Sequence, residues 1–155
     1  MATQKYVSDI KTINWENSIV YHKLSNLEFL NIMFNPESLA RVKEQMGDKA
    51  ADMNIQNFVA DRDRCSFDVA PMGHISFYVE EREEPKTIKI RSEESTPFQF
   101  RLWIQLLPVN STQCKMRITL HTELNMMMKM MVGKKLEGGI NQIADGIAQI
   151  PFGMI

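Results

Sequence analysis

Five stretches between Cys65 and Leu124 place apolar residues at every second position, and the period then becomes helical over Asn125–Ile150. Alternation with period two predicts half-buried strands, and spacing of three and four predicts an amphipathic helix. Cys65, Phe67 and Val69 form one side of the first such strand, and Ile75, Phe77 and Val79 one side of the second. Ile88 and Ile90 follow, then Phe98, Phe100, Leu102, Ile104 and Leu106, then Cys114, Met116, Ile118 and Leu120. Pro71-Met72-Gly73 and the acidic run Glu80–Glu84 before Pro85 punctuate them as turns. Short connections between neighbouring strands predict an antiparallel meander with one wet and one buried face.

The chain before the meander reads differently. Tyr6–Ile13 predicts a strand with imperfect alternation, Asp9 and Lys11 sharing a side with Val7 and Ile13. Either that side is exposed or a charged pair reaches inward, and exposure at an open sheet edge is the expectation. Asn14 is placed to cap a helix that carries Ile19, Val20, Leu24 and Leu27 and weakens at Ser25-Asn26. Asn35, Pro36 and Gly47 bracket a second helix, Asp48–Asn54 is a connector, and Ile55–Ala60 predicts a further strand. In the C-terminal helix Met128, Val132, Leu136, Ile140, Ile143 and Ile147 share one face. Gly138-Gly139 in its middle predicts a bend or a close approach to the sheet.

These elements add up to an α+β fold: a curved antiparallel sheet wrapped on a long C-terminal helix. A sheet gripping one helix can enclose a cavity. The expected lining is Phe67, Phe77, Phe100, Leu102, Ile104, Met116 and Ile118 from the sheet, with Met128, Val132, Leu136, Ile140 and Ile143 from the helix. Methionine is over-represented, 12 in 155 residues with five between Met126 and Met131. One helical stripe cannot bury all five. Met127, Met130 and Met131 are therefore candidates for an adaptable lid over a ligand mouth, for rim packing, or for a docking surface.

Composition narrows the function classes. A net charge of -1 supplies no bulk field to recruit nucleic acid or an anionic membrane. No stretch approaches the ~18 apolar residues of a membrane span, and Met1–Asp9 lacks the pattern of a signal peptide. The two cysteines, Cys65 and Cys114, sit on apolar sides of strands and are expected to be buried free thiols. A single domain over residues 1–155 in a reducing cytoplasm is the expectation. His22, His74 and His121 fall on polar sides, and no histidine, cysteine or carboxylate pair has metal-ligand spacing. No catalytic residue, metal site or cofactor is predicted. Trp15 and Trp103 are expected as packing anchors, Trp103 on the outward side of its strand.

The order of strand, two short helices, long meander and long closing helix resembles the helix-grip fold of the SRPBCC superfamily. That superfamily includes START-like, birch-pollen-allergen-like and polyketide cyclase-like domains. The similarity is carried by Tyr6–Ile13, by Asn14–Leu30 with its Leu24-Ser25-Asn26-Leu27 stretch, by the meander and by Asn125–Ile150. It implies a fold and a cavity, and no particular reaction. The expectation is a binder of a hydrophobic small molecule or lipid, with a cyclase- or aromatase-like enzyme and a ligand-free protein-interaction module as alternatives. Ligand identity and oligomeric state are not encoded legibly.

Overall fold

A computed structural model describes residues 3–33, 54–70 and 73–154. Eight strands form one antiparallel sheet: β1 Thr3–Val7, β2 Lys11–Ile13, β3 Asn54–Ala60, β4 Arg64–Ala70, β5 Gly73–Glu83, β6 Thr87–Ser92, β7 Gln99–Asn110 and β8 Gln113–Glu123. The order across the sheet is β1-β8-β7-β6-β5-β4-β3, with β2 also paired to β8 beyond the end of β1. Helix α1 spans Asn17–Leu24, a 3-10 turn Leu27–Phe29 leads into the short α2, Leu30–Met33, and the C-terminal helix α3 spans Met126–Ala148. The predicted helix between Asn35 and Gly47, its connector and the Pro71-Met72 turn fall outside the described residues.

The alternation in the meander is a true inside–outside pattern. Cys65, Ile75, Ile88, Ile90, Ile104, Leu106, Cys114, Met116, Ile118 and Leu120 are all buried. Register slips interrupt the ladders at Gln56/Val59 in β3, Val79/Glu81 in β5 and Pro108/Asn110 in β7. Such bulges bend a sheet and deepen its twist, which is how a flat meander becomes a cradle. At the β3 slip, Asn57 takes a positive φ of 54°, a conformation that asparagine tolerates better than most side chains. The acidic run near Pro85 is less of a loop than expected, since β5 continues through to Glu83 before the turn.

Three N-terminal expectations change. First, α1 starts at Asn17 with Glu16 at the cap position, and the Asn14 side chain instead accepts a hydrogen bond from Gln113 Nε2 at 3.1 Å. The helix does end at Leu24, and Arg82 braces its end by donating to the Ser25 carbonyl at 3.0 and 2.9 Å.

Second, the strand predicted over Tyr6–Ile13 is split. Val7 pairs with Thr119 and Lys11 with Met116, so three residues, Ser8 to Ile10, face two on β8. This is a bulge, and its extra residue reverses the phase of the strand. Val7 is exposed while Ile13 is fully buried. Ser8 keeps the ladder closed across the break. Its N–H donates to the Ile118 carbonyl at 2.8 Å, and its hydroxyl accepts from the Ile118 N–H at 2.9 Å.

Third, the Asp9–Lys11 stretch is not simply an exposed edge. The Asp9 N–H donates to Asn141 Oδ1 at 2.8 Å, and Lys11 Nζ pairs with Asp145 Oδ1 at 2.7 Å. Both partners lie on α3, one turn apart. The carboxylate beside Lys11 raises the ammonium's pKa above its ordinary value.

That latch sets the rotation of α3, which packs against β1, β2 and β8. Among the described side chains of α3, Gly133, Ile140, Ala144 and Ile147 are buried and Leu136 is half-buried. Relative to the stripe read from the sequence, the buried face of the described side chains is displaced toward Gly133 and Ala144. Small residues, Gly133 and Ala144, thereby meet the sheet. Ile143 moves to the margin, 47% exposed, which corrects its expected place inside. Gly138 and Gly139 are not a close approach to the sheet: α3 continues through them, and a Cβ on either would meet nothing within 4 Å. The close glycine is Gly153, in the 3-10 turn Phe152–Met154, where a Cβ would stand 2.1 Å from the Trp15 ring. Phe152 beside it is fully buried.

The bulge supplies a test. Ser8→Ala leaves the buried Ile118 N–H without its acceptor and is expected to cost about 1–3 kcal/mol of stability. Chemical denaturation measures it, and an unchanged midpoint would show that the bulge closes without the hydroxyl.

Candidate functional site

Five phenylalanines form a continuous row on the inner side of the sheet, away from the strands that α3 covers. Phe58 on β3 stacks on Phe67 of β4 at 5.9 Å between ring centroids. Phe67 meets Phe77 of β5 edge-on at 6.3 Å, and Phe77 meets Phe100 of β7 at 6.0 Å. Phe98, just before β7, closes the row at 5.7 Å from Phe100. Register explains the line-up: Phe77 pairs with Cys65 and Phe67 with Ile75, and all four share the inward phase. Edge-to-face and offset contacts of this kind are worth ~0.5–1.5 kcal/mol each beyond area burial. All five rings remain only half-buried. The site is thus a floor of aromatic carbon on strands other than β1, β2 and β8, against which α3 packs.

The sequence-predicted lining divides around this floor. Phe67, Phe77, Phe100 and Leu102 are half-buried, as is Leu136 on the helix. Ile104, Met116, Ile118 and Ile140 are buried and belong to the closed core. The side chains of Met128, Val132 and Met131 lie outside the described residues. Met127 and Met130 stand in solvent at the start of α3, 72% and 83% exposed. Sequence reasoning missed Phe58, because its strand carries a bulge that breaks the alternation.

It also missed the polar groups of the interior. Thr122 follows Leu120 in the inward phase of β8, pairs with Phe100 and is fully buried. Among the described residues its hydroxyl oxygen is the one buried side-chain polar atom without a hydrogen-bond partner. Ser92, buried at the end of β6, accepts from the Phe100 N–H at 2.9 Å and donates to Gln99 Oε1 at 3.2 Å. Continuing the alternation of β8 by one more step past Leu120 would have found Thr122.

His74 and His121 lie on the polar side of the sheet, and His22 lies on α1. His74 Nδ1 is 2.7 Å from Asp68 Oδ1, and Asp68 Oδ2 accepts from Asn57 Nδ2 at 2.7 Å. Those hydrogen bonds hold the Asp68 carboxyl below its ordinary pKa. His22 approaches Glu84 at 3.7 Å, both side chains largely exposed. His121 lies against Trp103. Among the described residues no three histidines, cysteines or acids cluster as metal ligands, and no helix is long and apolar enough to cross a membrane.

With the geometry in place, known structures can be set beside it. Norcoclaurine synthase from Thalictrum flavum is similar over 96% of this chain and 92% of its own, with a TM-score of 0.61 at 9% identity. A START superfamily protein from Mycobacterium smegmatis is similar over 91% of this chain and 98% of its own, with a TM-score of 0.53 at 13% identity. The chain has the helix-grip fold. A conserved protein from Geobacillus kaustophilus shares it at a TM-score of 0.53 and 14% identity, over 95% of this chain and 90% of that one. No family model matches the chain, and no curated protein sequence is similar to it. At such identities the helix-grip likeness speaks for architecture, and the chemistry must come from the residues.

The thiols test the interior. Burial pushes Cys65 up to about 12 and Cys114 up to about 11. Both are expected to resist iodoacetamide at pH 8 in the folded protein and to react on unfolding, because the thiolate is the nucleophile. Mass spectrometry of the intact chain reads the outcome, and rapid native labelling of Cys65 would mean that the inner face of β4 opens readily.

Proposed function

We propose that this helix-grip protein binds a hydrophobic small molecule or lipid against the phenylalanine row, between the sheet and α3. The observation that carries the reading is the row itself. Five contiguous aromatic rings lie on the inward phase of the sheet yet remain half-exposed. Aromatic carbon in a concave setting gains by exchanging water for an apolar ligand, and the rings supply a rigid floor for it. Thr122 adds one hydroxyl behind Phe100. A mostly apolar ligand with a single hydrogen-bonding group suits that arrangement. The same helix-grip architecture holds dopamine and hydroxybenzaldehyde in norcoclaurine synthase. The exposed Met127 and Met130 serve as adaptable contacts at the mouth, with Met131 as their neighbour in sequence.

Nile red, a neutral apolar dye, provides the test. It is expected to bind with enhanced fluorescence. Phe77→Ala should weaken binding by roughly three- to tenfold, the equivalent of one aromatic contact of ~0.5–1.5 kcal/mol. Met127→Gln with Met130→Gln should weaken it further while the melting temperature moves little, since both side chains are largely in solvent. Dye binding indifferent to Phe77→Ala would remove the phenylalanine row from the site.

A further inference from the structure

The outward face of the sheet carries a second arrangement that the apolar site does not use. Register places Arg91 of β6 directly opposite Arg101 of β7, Arg101 opposite His121 of β8, and His121 opposite Lys5 of β1. Four basic side chains thus form one transverse row. Arg91 and Arg101 set like charges directly across a ladder, which repel, so the sheet gains nothing internal from that pair. Part of the charge is answered: Glu80 lies 3.4 Å from Arg91 and is shared with Lys89 at 3.6 Å. Arg101 is exposed and, among the described residues, has no ion-pair partner. Trp103, one step along β7, backs the row. Its ring meets His121 at 4.6 Å and Lys89 at 5.7 Å.

The row borders a depression of about 250 Å³. Arg91, Arg101 and His121 line it, with Thr3, Gln99 and Glu123 from the next step along the sheet and Phe100 between them in sequence. The volume falls just under the ~300–1,000 Å³ of pockets for drug-sized ligands, which restricts the occupant to something small. Glu123 and the two arginines share the depression without closing into an ion pair. A bound molecule would therefore meet an anion-seeking side and a carboxylate that accepts hydrogen bonds.

We propose that this depression binds a small hydroxyl-bearing phosphomonoester. The phosphate would sit between the guanidinium groups of Arg91 and Arg101, whose planar forks match its oxygens. Thr3 and Gln99 offer further hydrogen-bond donors, and Glu123 accepts from a ligand hydroxyl. The same chemistry belongs to a free metabolite or to the headgroup of a lipid, and the two are separable. The depression shares Phe100 with the phenylalanine row, but its polar lining is separate and its test requires no apolar ligand.

Glycerol 3-phosphate, titrated calorimetrically into the intact protein, is the direct probe. It is expected to bind at one site and more tightly than inorganic phosphate. Arg101→Gln, at an exposed position, should leave the melting temperature unchanged and weaken binding roughly tenfold or more, the scale of one charge-assisted bidentate contact. Glu123→Gln should keep phosphate binding and abolish the preference for glycerol 3-phosphate. Backbone amide shifts of the unmodified protein, confined to the ends of β6, β7, β8 and β1, would locate the site without any variant. In a parallel arm, phosphatidylcholine vesicles with and without phosphatidic acid are sedimented with the protein. Binding only to the acidic vesicles, lost in Arg101→Gln, would assign the phosphate to a headgroup. Binding of neither probe, or binding that Arg101→Gln leaves intact, would overturn the proposal.

Discussion

One extra residue between Val7 and Lys11 governs the geometry of the whole inner face. At the Ser8–Ile10 bulge the edge of the sheet changes phase against β8, and Ser8 makes the change tolerable by satisfying both polar groups of Ile118. An unpaired backbone N–H at that buried position would be costly. The altered phase turns the Asp9 N–H and the Lys11 side chain toward α3, where Asn141 and Asp145 receive them. Those contacts hold the helix over β1, β2 and β8 and turn its small residues, Gly133 and Ala144, to the sheet. The aromatic surface of β3, β4, β5 and β7 is left beside the helix and remains half-exposed. The half-exposure of the phenylalanine row, and with it the proposed ligand site, follows from where the helix is pinned.

The meander was legible because its signal is redundant. Phe100, Leu102, Ile104 and Leu106 repeat one period against a partner strand that repeats it too, so a single deviation cannot mask the pattern. The edge elements were not legible to the same degree. A bulge adds one residue and reverses every later side chain of its strand, and nothing in Ser8-Asp9-Ile10 announces that by composition. The misplacement of Ile143 has the same origin, since hydrophobicity alone favours the isoleucine face of α3 and ignores the polar contacts that rotate it. Gly138-Gly139 does not interrupt α3, because a helix held by tertiary packing tolerates an intrinsic penalty of up to ~1 kcal/mol per glycine. Of the candidate site, the inward phenylalanines of β4, β5 and β7 followed from alternation. Thr122 lay one step further along the same alternation of β8, whereas the aromatic contribution of Phe58 required the three-dimensional register.

The two faces of the sheet express opposite chemistry from the same strands. On β7, Phe100 and Leu102 look inward while Arg101 and Trp103 look outward. The inner face carries carbon, one unpartnered hydroxyl and two thiols with raised pKa values. The outer face carries the basic row and the Asn57–Asp68–His74 network. The helix-grip architecture permits this division because only one face of its sheet is gripped.

Native mass spectrometry of the purified, untagged protein tests the central claim most directly. A second mass is expected, released by organic solvent, that corresponds to a mostly apolar molecule and is depleted in Phe77→Ala. The bare chain mass alone, unchanged after incubation with a panel of fatty acids, sterols and aromatic alcohols, would contradict it.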